Sequence, residues 1–86
     1  MKLKKEFLVH NTGGEAVLVP TGEAGFSGVM RGNRSLGAIL ELLRSETTEE
    51  ALVSAMRGRF EAPEGKIEAD VKKALAELRG IGALDE

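Results

Sequence analysis

The sequence predicts an α+β fold, in which a three-stranded antiparallel sheet precedes three helices in the order β-β-β-α-α-α. Two observations carry this reading. Apolar residues in the first third form short β-prone runs bounded by Gly and Pro, and from Asn33 onward they recur with the helical period of 3.6. The periodic stretches are joined by short connections rich in capping and breaking residues.

The first strand is Glu6-Phe7-Leu8-Val9-His10. Asn11-Thr12-Gly13-Gly14 follows as a turn, because glycine tolerates positive φ. The second strand, Glu15 to Val19, runs to Pro20, which cannot donate to a ladder and so ends the strand or marks a free edge. Residues 21–28 carry Gly22, Gly25 and Gly28 and read as a loop, and Val29-Met30-Arg31 is the third strand, kept short by Gly32.

Helix one spans Arg34–Arg44. Leu36, Ile39, Leu40 and Leu43 fall at i, i+3, i+4 and i+7 on one face. Asn33 caps it through its side-chain oxygen. Gly37 costs about 1 kcal/mol against Ala inside a helix, so close packing is the expected reason for it. Helix two spans Thr48–Arg59, with Thr47 and Glu50 as a capping box or Thr48 as the cap one residue later. Leu52, Met56 and Phe60 face inward, with Val53 beside them. Helix three spans Lys66–Arg79 and carries the stripe Ile67, Val71, Ala74, Leu75 and Leu78. Gly80 suits the left-handed position after it, and Ile81 and Leu84 fold back to close the core. Three helices on short connections beside a small sheet make a winged helix-turn-helix-like architecture.

The chain has 86 residues, enough for one domain over 1–86. A chain of this size buries only about 60–65% of its unfolded surface, so a thin stability margin is expected. It has no cysteine, which removes disulfides and thiolate metal sites. No signal peptide and no run of ~20 apolar residues is visible, so the expectation is a cytoplasmic protein without a membrane partner. With 12 basic against 14 acidic side chains the net charge is −2, which argues against strong non-specific nucleic-acid binding. Phe7, Phe26 and Phe60 are the only aromatics, too few for a base-stacking platform.

No catalytic motif survives inspection. Gly25-Phe26-Ser27-Gly28 lacks the last Gly of a nucleophile elbow, since Val29 stands there. His10 has no second His or Cys to share a metal and no nominated acid to orient it as a base. Gly80-Ile81-Gly82 follows a helix, where a dinucleotide fingerprint follows a strand. The acidic pair Glu49-Glu50 suits a helix N-terminus. The expectation is a non-enzyme without cofactors or metal.

The stretch Asn33-Arg34-Ser35-Leu36-Gly37-Ala38-Ile39-Leu40-Glu41-Leu42-Leu43 resembles the Asn-x-Thr-small-small-x-Ile-Trp-Glu-Leu-Leu signature of the PqqD-like family. Asn33, Ser35, Ile39, Glu41, Leu42 and Leu43 fall on it, with Leu40 in place of its Trp. Thr48-Glu49-Glu50 resembles the family's Thr-x-Glu start of helix two, and Phe60 takes the place of its Tyr or Phe. Ala69-Asp70-Val71 and the spacing of Leu75, Leu78, Gly82 and Leu84 match its C-terminal pattern. Gly32 stands where an apolar residue is usual, and Arg34 where an acid is frequent. The resemblance implies a non-catalytic recognition element for ribosomally made precursor peptides. The leader peptide would add as a strand beside the third strand, against helix three. The usual client is a radical S-adenosylmethionine enzyme, as in pyrroloquinoline quinone (PQQ) biosynthesis.

The residues can support that mechanism. Strand addition takes affinity from main-chain hydrogen bonds and specificity from side-chain pockets. The edge would be Val29, Met30 and Arg31, so Met30→Pro should remove a strand donor. Helical winding sets Glu68, Lys72, Leu75 and Arg79 along one margin of helix three. A Leu75 floor with Lys72, Arg79 and Arg31 at the rim would favour an acidic leader with apolar anchors. The opposite margin, with Asp70, Lys73 and Glu77, is the alternative. Leu75 also reads as core, Lys72 and Arg79 as a solvated face, and Met30 as ordinary packing.

The rival functions are a DNA-binding winged helix and a general interaction or dimerisation module. DNA binding is disfavoured by three carboxylates on helix three, by the absence of Gln, and by only seven residues after Arg79 to form a wing. A free strand could also pair with a second copy of the chain.

Overall fold

The computed structural model describes residues 1–12, 14–22 and 28–86. Gly13 of the first turn and Gly25-Phe26-Ser27 of the rejected elbow lie outside the described residues. The elements run β1 (Lys2–Leu3), β2 (Phe7–Asn11), β3 (Ala16–Pro20), β4 (Met30–Gly32), α1 (Arg34–Leu42), α2 (Glu49–Arg59), α3 (Lys66–Gly80) and β5 (Leu84–Asp85). The α+β order of sheet followed by three helices is as the sequence predicts.

The antiparallel sheet has the order β2-β3-β4. Val9 lies opposite Leu18, and Leu18 opposite Met30, in an unbroken register. Side chains alternate across a strand. Phe7, Ala16 and Leu18 therefore point to the helices and are buried, whereas Leu8 and His10 point away and are exposed. The hairpin closes where Thr12 N–H and Oγ1 donate to the Glu15 carbonyl, at 2.9 and 3.0 Å.

Helix α1 lies on this sheet and buries five consecutive residues, Leu36 to Leu40. Such burial needs close approach. A Cβ on Gly37 would stand 2.7 Å from Asn11 Nδ2 and 3.2 Å from Ala16 Cβ, so glycine lets the helix reach the strands. One on Gly32 would stand 2.8 Å from Leu36 Cβ, which explains why an apolar side chain is missing there. Asn33 caps α1 as expected, its Oδ1 accepting from Leu36 N–H at 3.1 Å. The helix stops at Leu42, two residues before Arg44.

Thr48, rather than Thr47, caps α2, its hydroxyl accepting from Ala51 N–H at 3.1 Å. Glu49 and Glu50 in its first turn and Arg57 and Arg59 in its last complement the helix dipole.

The expected stop of α3 moves by two residues. Gly80 is helical, and Gly82 takes the left-handed position at φ 72°. Gly82 N–H donates to the Arg79 carbonyl at 3.1 Å, and Ala83 N–H to that of Leu78 at 2.9 Å. These are the two bonds of a Schellman stop. The turn returns Leu84 to the core, as expected, and adds a strand pair the sequence did not suggest. Leu3 lies opposite Leu84, and Lys2 opposite Asp85. Leu3 N–H donates to the Leu43 carbonyl at 2.8 Å, tying the N-terminal segment to the end of α1.

Candidate functional site

Hydrogen-bond phase decides which main-chain groups of β4 point away from the sheet. Thr21 N–H donates to the Glu6 carbonyl, and Thr12 N–H to that of Glu15. The main-chain groups of Glu15, Val17 and Val19 therefore face β2, and those of Ala16 and Leu18 face β4. Leu18 is opposite Met30 and Ala16 is opposite Gly32, so those two β4 residues are the ones hydrogen-bonded to β3. Arg31 lies between them, opposite Val17, and turns its N–H and C=O away from the sheet. β4 is the last strand of the sheet, so among the described residues no strand covers that border.

A groove of about 320 Å³ runs beside this border. Arg31, Gly32 and Asn33 form one wall, Leu36 contributes a little apolar surface over the almost wholly buried Ile39, and Lys66, Asp70, Lys73, Ala74 and Glu77 form the other wall. Lys66 Nζ pairs with Asp70 Oδ1 at 3.2 Å. Arg31 and Lys73 make no ion pair among the described residues, which leaves two free cations on the rim.

The site residues expected from sequence separate. Arg31 lines the groove. Val29 is half exposed just outside β4. Met30 is a correction, because its main-chain groups face Leu18 and its side chain packs against the core. Leu75 is a second correction: it is fully buried and cannot floor an open groove. Glu68, Lys72 and Arg79 sit on the other side of α3. Glu68 Oε2 pairs with Arg57 of α2 at 2.7 Å, and Arg79 Nη2 with Glu86 at 2.9 Å. These partners hold the Glu68 and Glu86 carboxyls below the usual carboxylate range, chiefly by hydrogen bonding, and raise Arg79. Lys72 is exposed and lines no groove with β4.

The margin of α3 that faces β4 is thus the alternative one, with Asp70, Lys73 and Glu77. Sequence reasoning overlooked Lys66, Ser35 and Asn33 as lining residues. Lys66 was findable, since it falls at i−4 and i−7 from Asp70 and Lys73 on the same helical stripe. Ser35 and Asn33 carried no signal, because capping fully explains one and the first turn the other.

A sequence profile described as "Coenzyme PQQ synthesis protein D (PqqD)" matches residues 15–84. The chain belongs to the PqqD family. The match begins at the start of β3 and covers the β4 border, all three helices and the Schellman stop. Among solved structures, "TbiB1 in Complex with the TbiA(beta) Leader Peptide" is similar, with a TM-score of 0.75 and 19% identity over 99% of this chain and 100% of that one. At that identity the likeness shows a shared fold. No curated protein sequence matches the chain significantly. No helix among the described residues is long and apolar enough to cross a membrane.

Proposed function

We propose that this PqqD-family chain is a non-catalytic recognition domain, spanning 1–86, that holds the leader of a ribosomally made precursor peptide. The leader adds as a fourth strand along β4, with its side chains in the groove against α3. The domain then presents the peptide to a modifying enzyme of the radical S-adenosylmethionine class. The outward N–H and C=O of Arg31, at an uncovered border beside that groove, carry the reading. It is supported by the family match and by a fold shared with a protein solved with a leader peptide.

Magnitudes limit what the border can do alone. Two main-chain hydrogen bonds supply roughly 1–3 kcal/mol net. Micromolar binding needs about 8 kcal/mol. Most of the affinity must come from side chains entering the groove, where Leu36 and Ala74 expose a little apolar surface and Arg31 and Lys73 are cationic. A leader with a modest apolar anchor and flanking carboxylates fits best.

The test is titration of isotope-labelled protein with synthetic leaders from precursor genes encoded nearby. Amide shifts should concentrate at Arg31 and Gly32 and along Lys66–Glu77. Shifts elsewhere, or none with any leader, would overturn the proposal. Duplex DNA at low salt, added in parallel, should leave the same amides unmoved.

A further inference from the structure

A second groove lies on the opposite border of the sheet, and nothing in the proposed leader site uses it. It is the larger of the two, about 790 Å³. Among the described residues, Lys2, Lys4, Lys5 and Arg44 line it against only Glu6 and Asp85, whereas carboxylates outnumber cations in the chain as a whole. Lys4 and Lys5 are exposed and make no ion pair among the described residues. Leu8 stands among them, 51% exposed on the face of the sheet turned away from the helices. The three lysines lie before residue 15, outside the stretch matched by the PqqD profile.

We infer that this cationic groove docks an acidic segment of a partner protein, one carrying an apolar side chain between carboxylates. Charge complementarity supplies the argument. Unpaired lysines around an exposed leucine offer an apolar anchor inside a polar rim, the usual layout of an interface patch. A surplus of one charge steers an oppositely charged partner and sets its register. The leader is not the occupant. An extended peptide beside β4 is separated from β2 by three strand spacings, about 14 Å, and lies on the other border. Assigning the segment to the enzyme that receives the leader rests on the function proposed above. On that reading the domain grips the substrate peptide at one border and its enzyme at the other, and the two bind independently. Arg44 marks the limit of the site. Its guanidinium pairs with Glu41 at 3.2 Å and reaches the Val9 carbonyl at 3.5 Å, covering part of the β2 backbone. Phe7 N–H is likewise taken by the Lys4 carbonyl at 3.1 Å, so the partly occupied β2 border favours a contact through side chains over strand addition.

The probe is a capped octapeptide of alternating glutamate and leucine, titrated into labelled protein, with its glutamine–leucine counterpart as control. The acidic peptide should give saturable shifts at Leu8, Val9 and His10, weakening as salt rises. The variant Lys4→Glu/Lys5→Glu, checked for an intact fold by circular dichroism because both side chains are exposed and unpaired among the described residues, should bind it at least about tenfold more weakly. Leader binding at Arg31 should persist in that variant. Equal binding of the glutamine peptide, shifts confined to β4 and α3, or binding of anionic vesicles or duplex DNA while the peptide stays inert would each overturn the inference. The two proposals fail separately: loss of leader shifts at Arg31 with the Leu8 shifts retained counts against the leader site alone.

Discussion

Arg31 and Val17 face one another across β3 and β4 as a pair that exchanges no main-chain hydrogen bonds. The consequence is that the polar backbone of Arg31 is available at the sheet border, while that of Met30, one residue earlier, is taken up by Leu18. Proline therefore has opposite meanings at these adjacent positions. Arg31→Pro removes a donor that faces solvent, a placement edge strands tolerate. It should leave the melting temperature almost unchanged and weaken leader binding about tenfold, the loss of one hydrogen bond and the intrusion of a ring. Met30→Pro strands the Leu18 carbonyl and should cost about 1–3 kcal/mol of stability. Calorimetric titration beside thermal denaturation separates the two, and Arg31→Pro with undiminished affinity would move the peptide off β4.

Lys72 and Lys73 are neighbours on α3, both exposed and both without an ion pair among the described residues, yet only Lys73 lines the groove. Lys73→Glu should weaken an acidic leader about threefold to tenfold, with an effect that shrinks as salt rises. Lys72→Glu should leave affinity unchanged. Competition with a fluorescent leader reads both variants, and equal losses would mean that the leader responds to the net charge of the helix rather than to one margin.

What was legible in the sequence was whatever local rules control. Period and capping marked α1, α2 and α3 within one or two residues, because Asn33 and Thr48 satisfy first-turn donors wherever the chain goes next. What depends on the partner across the space was not legible. Winding alone cannot tell the Glu68 margin of α3 from the Asp70 margin, since both flank the same apolar stripe. The choice is made by α2, which takes Glu68 through Arg57 and leaves Asp70 toward β4. The phase of Met30 and Arg31 was equally hidden, because it is inherited from the β2–β3 register through β3. The pairing of Lys2–Leu3 with Leu84–Asp85 joins the chain ends and has no local signature.

The sequence points to Gly80 as the stop, and the structure assigns the left-handed role to Gly82 instead. Substitution distinguishes them. Gly82→Ala places a Cβ in open space but in a left-handed backbone, and should cost about 1–2 kcal/mol. Gly80→Ala lies inside the helix with open space around it, and should gain up to about 1 kcal/mol. Urea denaturation of the two variants should therefore shift in opposite directions, and the reverse pattern would return the stop to Gly80.

Gly32 and Gly58 make a similar pair, decided by space rather than by φ. A Cβ on Gly32 meets Leu36 Cβ at 2.8 Å and Cγ at 3.0 Å, atoms held close to the backbone of α1. Gly32→Ala should cost about 1–3 kcal/mol through overpacking. For a chain of this size each lost kcal/mol lowers the melting temperature by about 4–8 °C. A Cβ on Gly58 meets nothing within 4 Å, and Gly58→Ala inside α2 should stabilise by about 0.5–1 kcal/mol. The first variant should also disturb leader binding, since Gly32 lines the groove where α1 leaves β4.

The ion pair between α2 and α3 gives the last prediction. Arg57 hydrogen-bonds the Glu68 carboxyl and holds it below its usual range, so the folded state binds the proton less readily than the unfolded one. A depressed carboxyl contributes stability that is complete above the unfolded value and is lost as pH falls through the folded value. Glu68→Gln removes that contribution without removing the side chain. Melting temperatures of the parent and the variant should differ slightly near neutral pH, with the parent higher, and converge as the medium is acidified below the carboxylate range. The difference should also shrink with salt, because both partners are substantially exposed. Curves that stay parallel down to low pH would mean that Glu68 positions α3 through packing rather than charge.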